Sequence, residues 1–298
     1  MSKDSKNKAI EDWLSISTDD LKAAKALYDI KLFGGCVGHL QQSNEKLLKA
    51  LLLSIGIMTP KQARADLTVQ KMLGFLPKQP RAYGHRTTRP LISDLEKSVP
   101  AIEDFLTLIE KSELGPRVAE FAEGFRASKK RLKELKHKVF GLIESTEQLE
   151  KEVNSAKTLL DNLDKATTVA KQKLDKLDLA ELRRAAISVV RAAGFKITEA
   201  GADEPLPSFE EIKAAILGRL TLVVLAILTA ALGSFIDPLE EVTRYPDLPH
   251  TPFDENNPYI KNFMGLHDII SRILQKSHTA TQERSLDALI TNLRSIHS

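Results

Sequence analysis

The stretch QQSNEKLLKALL, residues 41–52, decides the fold, because its leucines recur at helical spacing beside a dense polar face. Glu45 lies four residues before Lys49, and Gln42 lies four residues before Lys46, so each pair meets on neighbouring turns of one helix. The pattern predicts a helix over about 36–55, and Gly56 is well placed to end it.

The same apolar spacing extends in both directions from this stretch. It predicts a helix over about 9–28, which the pair Gly34-Gly35 should separate from the next one. It also predicts helices over about 61–74, 91–112, 259–277 and 280–296, and one from Ser208, an N-cap candidate, to Ile236. Leu, Ala, Lys and Glu are abundant and aromatics make up only 5%, so the composition favours an all-α fold.

Composition limits the functional classes. The chain has 298 residues, 42% hydrophobic and 28% charged, which is typical of a soluble globular protein with room for two domains. With 43 positive and 40 negative residues, the charge balance allows an acidic partner without requiring one. The single Cys36 excludes an intrachain disulfide and a cysteine metal site, and the polar N-terminus does not resemble a signal peptide. We therefore expect a cytoplasmic protein.

A heptad pattern runs through the middle of the chain. From 132 to 177, twelve of the fourteen a and d positions are apolar, and the other two are Thr. This predicts coiled-coil packing, either as a helical hairpin that turns at Asn154-Ser155 or as a straight dimer. The alternative is one helix lying along a larger core.

Residues 220–236 form an uncharged, largely apolar run of seventeen residues. This length is at the lower edge for a membrane-spanning helix. We favour a buried core or dimer helix over a membrane segment.

Four motifs occur along the chain: Asp20-Leu21, residues 41–52, His85, and Arg244-Tyr245-Pro246-Asp247 before the helix predicted over about 259–277. Their order resembles that of the HEPN family (higher eukaryote and prokaryote nucleotide-binding domain). The family's first helix carries an Asp-Leu pair with an Ala-rich face, and its second helix reads like residues 41–52. Its third helix opens with His-Asp-Leu, of which this chain has only the histidine.

The resemblance implies an up-and-down helical bundle with a long helical hairpin or coiled-coil insertion. The HEPN-like halves would cover 9–115 and 208–298, with the helical insert at 116–207. It also implies nucleotide or RNA binding and self-association as a homo-oligomer, with a membrane role disfavoured. A nucleotidyltransferase-type partner and a place in a toxin–antitoxin or defence system are further implications.

Many HEPN proteins are metal-independent ribonucleases that use an Arg followed, after four to six residues, by a His. Such a His can transfer a proton at a 2′-hydroxyl while the Arg holds the phosphate. Arg244 and His250 have this spacing, as do Arg131–His137 and Arg272–His278. The sequence leaves open whether the chain is an enzyme. We expect no cofactor and no metal, since phosphate-loop and metal-binding motifs are absent from the sequence.

A binding surface is the other candidate site. Gln42, Lys46 and Lys49 share one helix face, and the resemblance implies that basic side chains nearby join them in contacting nucleotide or RNA: His85, Arg86 and Arg89. The simpler alternative is a solvated face with local ion pairs such as Glu45–Lys49. A third function is a non-catalytic scaffold built on the heptads.

Overall fold

The computed structural model describes residues 3–64, 143–175, 209–237, 239 and 253–282. Every regular element in these ranges is an α-helix, and the predicted all-α fold is confirmed. The helices are α1 (Lys3–Asp29), α2 (Phe33–Ser54), α3 (Pro60–Ala63), α4 (Thr146–Leu174), α5 (Phe209–Ile236), α6 (Pro258–Lys261) and α7 (Phe263–Gln282). Their buried side chains form one hydrophobic core.

Helices α1 and α2 form an antiparallel pair joined at residues 30–32. The Gly34-Gly35 pair does not separate them as predicted, because both glycines lie inside the first turn of α2. A Cβ on Gly35 would lie 3.1 Å from Leu27 Cδ1, so the missing side chain lets the two helices approach closely. The turn itself is made at Lys31, whose φ is 61°.

Two serines hold the middle of this pair together. The Ser17 hydroxyl donates to the Ser43 carbonyl at 2.7 Å, and the Ser43 hydroxyl donates to the Ser17 carbonyl at 2.8 Å. Both residues are fully buried, so the hydrogen bonds satisfy polar groups that have no access to water. This reciprocal pair of hydrogen bonds fixes the position of α1 along α2.

Helix α2 ends as predicted at Gly56. Its φ is 74°, and the backbone N–H groups of Gly56 and Ile57 donate to the carbonyls of Leu53 and Leu52. This is a Schellman motif, which gives partners to carbonyls at the helix end. Within the predicted range 61–74 the structure has the short helix Pro60–Ala63, which follows a capping box between Thr59 and Gln62. Residues 65–74 lie outside the described residues.

Helix α5 lies at the centre of the core. Residues Leu217–Ile236 are long and apolar enough to cross a membrane, with a mean hydropathy of 2.1. However, 82% of this segment is buried inside the protein, where α5 packs against α2, α4 and α7. A helix that is apolar on all sides can be buried by neighbouring helices as well as by lipid. The contacts agree with the predicted core helix.

Helix α4 corrects the predicted hairpin. It runs without interruption from Thr146 to Leu174, so the proposed turn at Asn154-Ser155 is wrong. Five of its heptad positions are buried in the common core, where the neighbouring helices are α5 and α7: Leu149, Val153, Ala156, Leu160 and Leu163. In this part the apolar seam is covered by the chain's own helices, as expected of one helix along a larger core. Heptad positions 132–142 and 177 lie outside the described residues.

The contact between α4 and α7 is close and has a polar edge. A Cβ on Gly265 would lie only 2.8 Å from Val153 Cγ1, so glycine permits the approach. Along the same contact, Arg272 donates to Asp161 at 2.6 Å, and Lys276 pairs with Asp164. α7 continues to Gln282, past the break predicted between 277 and 280, because its apolar face stays on the core as far as Ala280.

Candidate functional site

The polar face of α2 points mainly into the protein. Gln41, Asn44 and Lys49 are only 2%, 1% and 4% exposed. The sequence left a binding surface and a solvated face as alternatives, but α1 covers one side of this face and α5 covers another. Buried polar groups of this kind need partners, because an unpaired neutral group in the interior costs about 1–3 kcal/mol and a charged group costs more. The contacts of each polar side chain show whether it serves the fold or remains accessible to a ligand.

Lys49 has a structural environment. Its ammonium lies 2.8 Å from a Glu45 carboxylate oxygen and 5.0 Å from the centroid of the Trp13 ring. The predicted Glu45–Lys49 pair is therefore present, but it is enclosed by protein. A ligand would reach the Lys49 ammonium only if the contacts with Glu45 and Trp13 were broken.

Two further polar side chains connect α2 to α5. The Gln41 amide donates to Asp237 at 3.2 Å, at the end of α5, and contacts Glu45 at 3.4 Å. The Asn44 amide donates to the carbonyl of Thr229 at 3.3 Å. Among the described residues the Asn44 side-chain oxygen has no hydrogen-bond partner. These contacts dock α2 on the central helix and are not open to solvent.

His39, Gln42 and Lys46 form a partly exposed polar stripe on α2. The three positions are separated by three and four residues, so they lie on one side of the helix. Asp20 of α1 lies behind them: one of its oxygens is 3.0 Å from His39 Nδ1 and the other pairs with Lys46. Lys46 also donates to the Gln42 side-chain oxygen at 3.3 Å, as the predicted pair requires. We call these four residues the Asp20 cluster.

Exposure differs within the Asp20 cluster. The side chain of Asp20 is 11% exposed, whereas those of Lys46 and His39 are 21% and 39% exposed. The carboxylate is thus buried beneath a lysine and a histidine that still reach the surface. The sequence pointed to Gln42 and Lys46 but missed His39 and Asp20 as site residues. His39 could have been found from the sequence, because it lies three residues before Gln42 on the same helix face. Asp20 could not, because it lies on another helix.

The other predicted site residues lie outside the described residues: His85, Arg86, Arg89, Arg244 and His250. Arg272 and His278, which have the nuclease-like spacing, lie within α7. Six residues on a helix separate two side chains by about 120° around the axis. Arg272 pairs with Asp161 and Asp164, so it serves the contact between α7 and α4.

Neither a metal centre nor a reactive thiol occurs in the part of the chain that the structure describes. Those residues contain no group of three His, Cys, Asp or Glu side chains arranged to hold a metal ion. Cys36 is buried, and burial raises the pKa of its thiol to about 12. Because the thiolate is the reactive form, Cys36 behaves as an apolar core residue.

Comparison with known proteins gives one match. A family model described as the HEPN domain matches residues 10–148. No curated protein matches the chain, and no solved structure does. The matched segment contains most of α1, all of α2 and α3, the Asp20 cluster and the start of α4, while the Arg244–Asp247 tetrapeptide lies beyond it. Residues 10–148, just under half of the chain, are therefore similar to the HEPN domain family, which confirms the resemblance seen in the sequence motifs.

Proposed function

We propose that this chain binds nucleotides or RNA through its HEPN domain. The observation that carries the proposal is the family match over residues 10–148, because HEPN domains have nucleotide- and RNA-related functions. Within that segment lie Gln42 and Lys46, which are accessible, and the basic residues His85, Arg86 and Arg89. Lys49 is left out of the proposed contacts because Glu45 and Trp13 enclose it.

The charge pattern of the matched segment supports a phosphate-bearing ligand. Residues 67–93 contain five Lys or Arg residues and no Asp or Glu, although the two signs nearly balance over the whole chain. A local excess of positive charge attracts polyanions even where the net charge of the protein is small. Tyr83 and Phe75 in the same stretch offer rings on which unpaired bases stack.

Salt-dependent binding tests this proposal. The affinity of the full chain for a short labelled single-stranded RNA would be measured by fluorescence anisotropy between about 50 and 200 mM salt. We expect affinity to fall with salt, and the double variant Arg86→Ala/Arg89→Ala to flatten the slope of log affinity against log salt by about 1.4, or about 0.7 for each phosphate contact.

A matched control removes the same charge elsewhere. Lys165 and Lys171 are exposed on α4, so Lys165→Ala/Lys171→Ala lowers the net charge equally without touching the HEPN segment. The control should keep the slope of the unmodified chain. Equal effects of both double variants would reduce the proposal to nonspecific attraction, and an absence of nucleotide and RNA binding would overturn it.

The second candidate is a metal-independent endoribonuclease, which would make the chain an enzyme. The sequence spacing assigns its site to Arg244 and His250, which lie beyond the matched segment. Arg131 and His137 have the same spacing and lie inside it, which favours testing both pairs. The assay is RNA cleavage with excess chelator, comparing His250→Ala with His137→Ala. Loss of cleavage in only one of them identifies the pair, and no cleavage by folded protein excludes this candidate.

The remaining expectations are part of the same proposal. A homo-oligomer is proposed because the sequence resembles a family that self-associates, and size-exclusion chromatography with light scattering tests it.

A cytoplasmic location fits a chain whose one long apolar helix in the described ranges is buried in its core. A nucleotidyltransferase-type partner, a toxin–antitoxin role and a two-part HEPN domain interrupted at 116–207 stay predictions. A purely scaffolding role would be favoured by the absence of any nucleic-acid or nucleotide binding.

A further inference from the structure

The Asp20 cluster has hydrogen-bonding capacity that its own contacts leave unused. A carboxylate only accepts hydrogen bonds, so His39 Nδ1, 3.0 Å from Asp20, is the nitrogen that carries the proton. In the neutral imidazole the outer nitrogen, Nε2, then offers a lone pair. Within the described residues, no contact engages that nitrogen, and the His39 side chain is half-exposed.

Gln42 and Lys46 offer hydrogen-bond donors, whereas His39 offers an acceptor. The Gln42 side-chain oxygen already accepts from Lys46, so its amide N–H groups remain as donors. Lys46 has three N–H donors, of which Asp20 and Gln42 engage two. One acceptor and at least two donors therefore lie along about two turns of a single helix face.

The charge of the cluster favours selection by hydrogen bonding over selection by charge. The Asp20 carboxylate and the Lys46 ammonium carry opposite charges, so this pair contributes no net charge. A simple anion would gain little attraction from such a site. The best-matched ligand donates a hydrogen bond to His39 and accepts hydrogen bonds from Gln42 and Lys46, all within a few ångströms. A ribose 2′-hydroxyl beside a phosphate has this combination, and a 2′-deoxyribose lacks the donor.

We propose that the Asp20 cluster is a ribonucleotide subsite, in which His39 Nε2 accepts from the ribose 2′-hydroxyl while Gln42 and Lys46 donate to the phosphate. This inference rests on the proposed nucleotide or RNA binding and gives it a position and a selectivity. Asp20 does not touch the ligand. It is a positioning residue that sets the tautomer of His39 and holds Lys46 beside Gln42.

The test compares RNA with DNA of the same sequence on the full chain. We expect the unmodified chain to prefer RNA by up to about tenfold, the value of one neutral hydrogen bond. His39→Asn is the sharpest variant, because the asparagine amide can still donate to Asp20 from the Nδ1 position but has no group at Nε2. It should remove the RNA preference and leave DNA affinity unchanged. Gln42→Ala should weaken RNA and DNA equally.

The outcomes separate this inference from the function on which it rests. Binding of RNA and DNA with equal affinity, or an RNA preference that survives His39→Asn, overturns the subsite and leaves the proposed function standing. An absence of binding to RNA, DNA and mononucleotides overturns both. Competition by 3′-AMP, in which the phosphate neighbours the 2′-hydroxyl, but not by its 2′-deoxy counterpart would support a free ribonucleotide as the ligand, whereas a preference seen only with oligonucleotides would support RNA. Melting temperatures close to that of the unmodified chain confirm that the variants are folded.

Discussion

The hydroxyl of Tyr259 donates a 2.8 Å hydrogen bond to the carbonyl of Phe235, in the last turn of α5. The same hydroxyl oxygen accepts a 3.0 Å hydrogen bond from the backbone N–H of Ile143, just before α4. The last carbonyls of a helix have no partners within the helix, and Tyr259 supplies one from the buried side chain of α6. One phenol thus joins the end of the central helix to the segment that leads into α4.

Removing this hydroxyl should destabilise the fold. In Tyr259→Phe, the Phe235 carbonyl and the Ile143 N–H both lose their partner at a buried site, and we expect the free energy of unfolding to fall by about 1–3 kcal/mol. The measurement is urea denaturation followed by circular dichroism. Tyr28→Phe is the control, because no hydrogen bond of the Tyr28 hydroxyl occurs among the described residues, where its ring stacks on Phe263. Equal losses in both variants would contradict the bridging role.

Stability should fall at alkaline pH. Burial raises the pKa of Tyr259 to about 12, although the hydrogen bond from Ile143 opposes the shift, and burial raises the pKa of Cys36 to about 12. Since both groups ionise more readily when unfolded, at about 9 for Cys and about 10 for Tyr, their contribution is complete below pH 9 and is lost as pH rises towards 12. Each group adds a slope of about 1.4 kcal/mol per pH unit in that window.

Two variants separate these contributions. Cys36→Ala should flatten the decline that begins at about pH 9, and Tyr259→Phe should flatten the part that begins at about pH 10. The measurement is the urea midpoint as a function of pH. An unchanged pH profile in both variants would show that other groups cause the alkaline loss.

The close approach of α4 and α7 depends on Gly265. Gly265→Ala would place a Cβ 2.8 Å from Val153 Cγ1, so the helices must shift. Overpacking of this kind costs about 1–3 kcal/mol, partly offset by about 1 kcal/mol from the better helix propensity of Ala. Val153→Ala removes the clashing methyl group. The double variant should therefore lose less stability than the sum of the single variants, by at least about 0.5 kcal/mol. Additive losses in thermal denaturation would refute the steric explanation.

Lys49 should matter for stability more than a surface lysine does. Lys49→Met leaves the Glu45 carboxylate in a poorly hydrated position without its partner, and we expect a loss of about 3 kcal/mol. Adding Glu45→Gln removes the stranded charge and should restore most of that loss. Lys25→Met is the matched control, since the Lys25–Asp29 pair has the same spacing but is exposed, and it should cost less than about 1 kcal/mol. A double variant no more stable than Lys49→Met would argue against a buried pair.

The local sequence pattern was sufficient to predict those helices whose apolar spacing and end residues lie within a single segment. Apolar spacing predicted α2 and α5 to within about three residues, and Gly56 ends α2 as expected. It also predicted the end of α1, although that helix begins at Lys3 and not at about residue 9. It failed at Gly34-Gly35 and at Asn154-Ser155, where the deciding contacts come from other helices. Gly35 is required by Leu27 rather than by a turn, and α4 continues because α5 and α7 cover its apolar face. Such contacts depend on residues far away in the chain.

The candidate site likewise combines residues that the sequence identified with contacts that only the structure shows. The sequence identified Gln42, Lys46 and Lys49 because residues three and four apart share a helix face. It could not show that Trp13 and Glu45 enclose Lys49, or that Asp20 brings His39 and Lys46 together, because those contacts cross between helices or depend on burial.

By itself the sequence determined that the chain is helical, where its best-patterned helices lie, and which family its N-terminal half resembles. These properties follow from hydrogen bonding and side-chain spacing within single segments. Only the tertiary structure decided which polar residues of α2 meet solvent, whether α5 lies in a core, and what covers the heptads of α4. Those outcomes depend on how much surface each helix loses to its neighbours, and periodicity shows only that a face is apolar or polar.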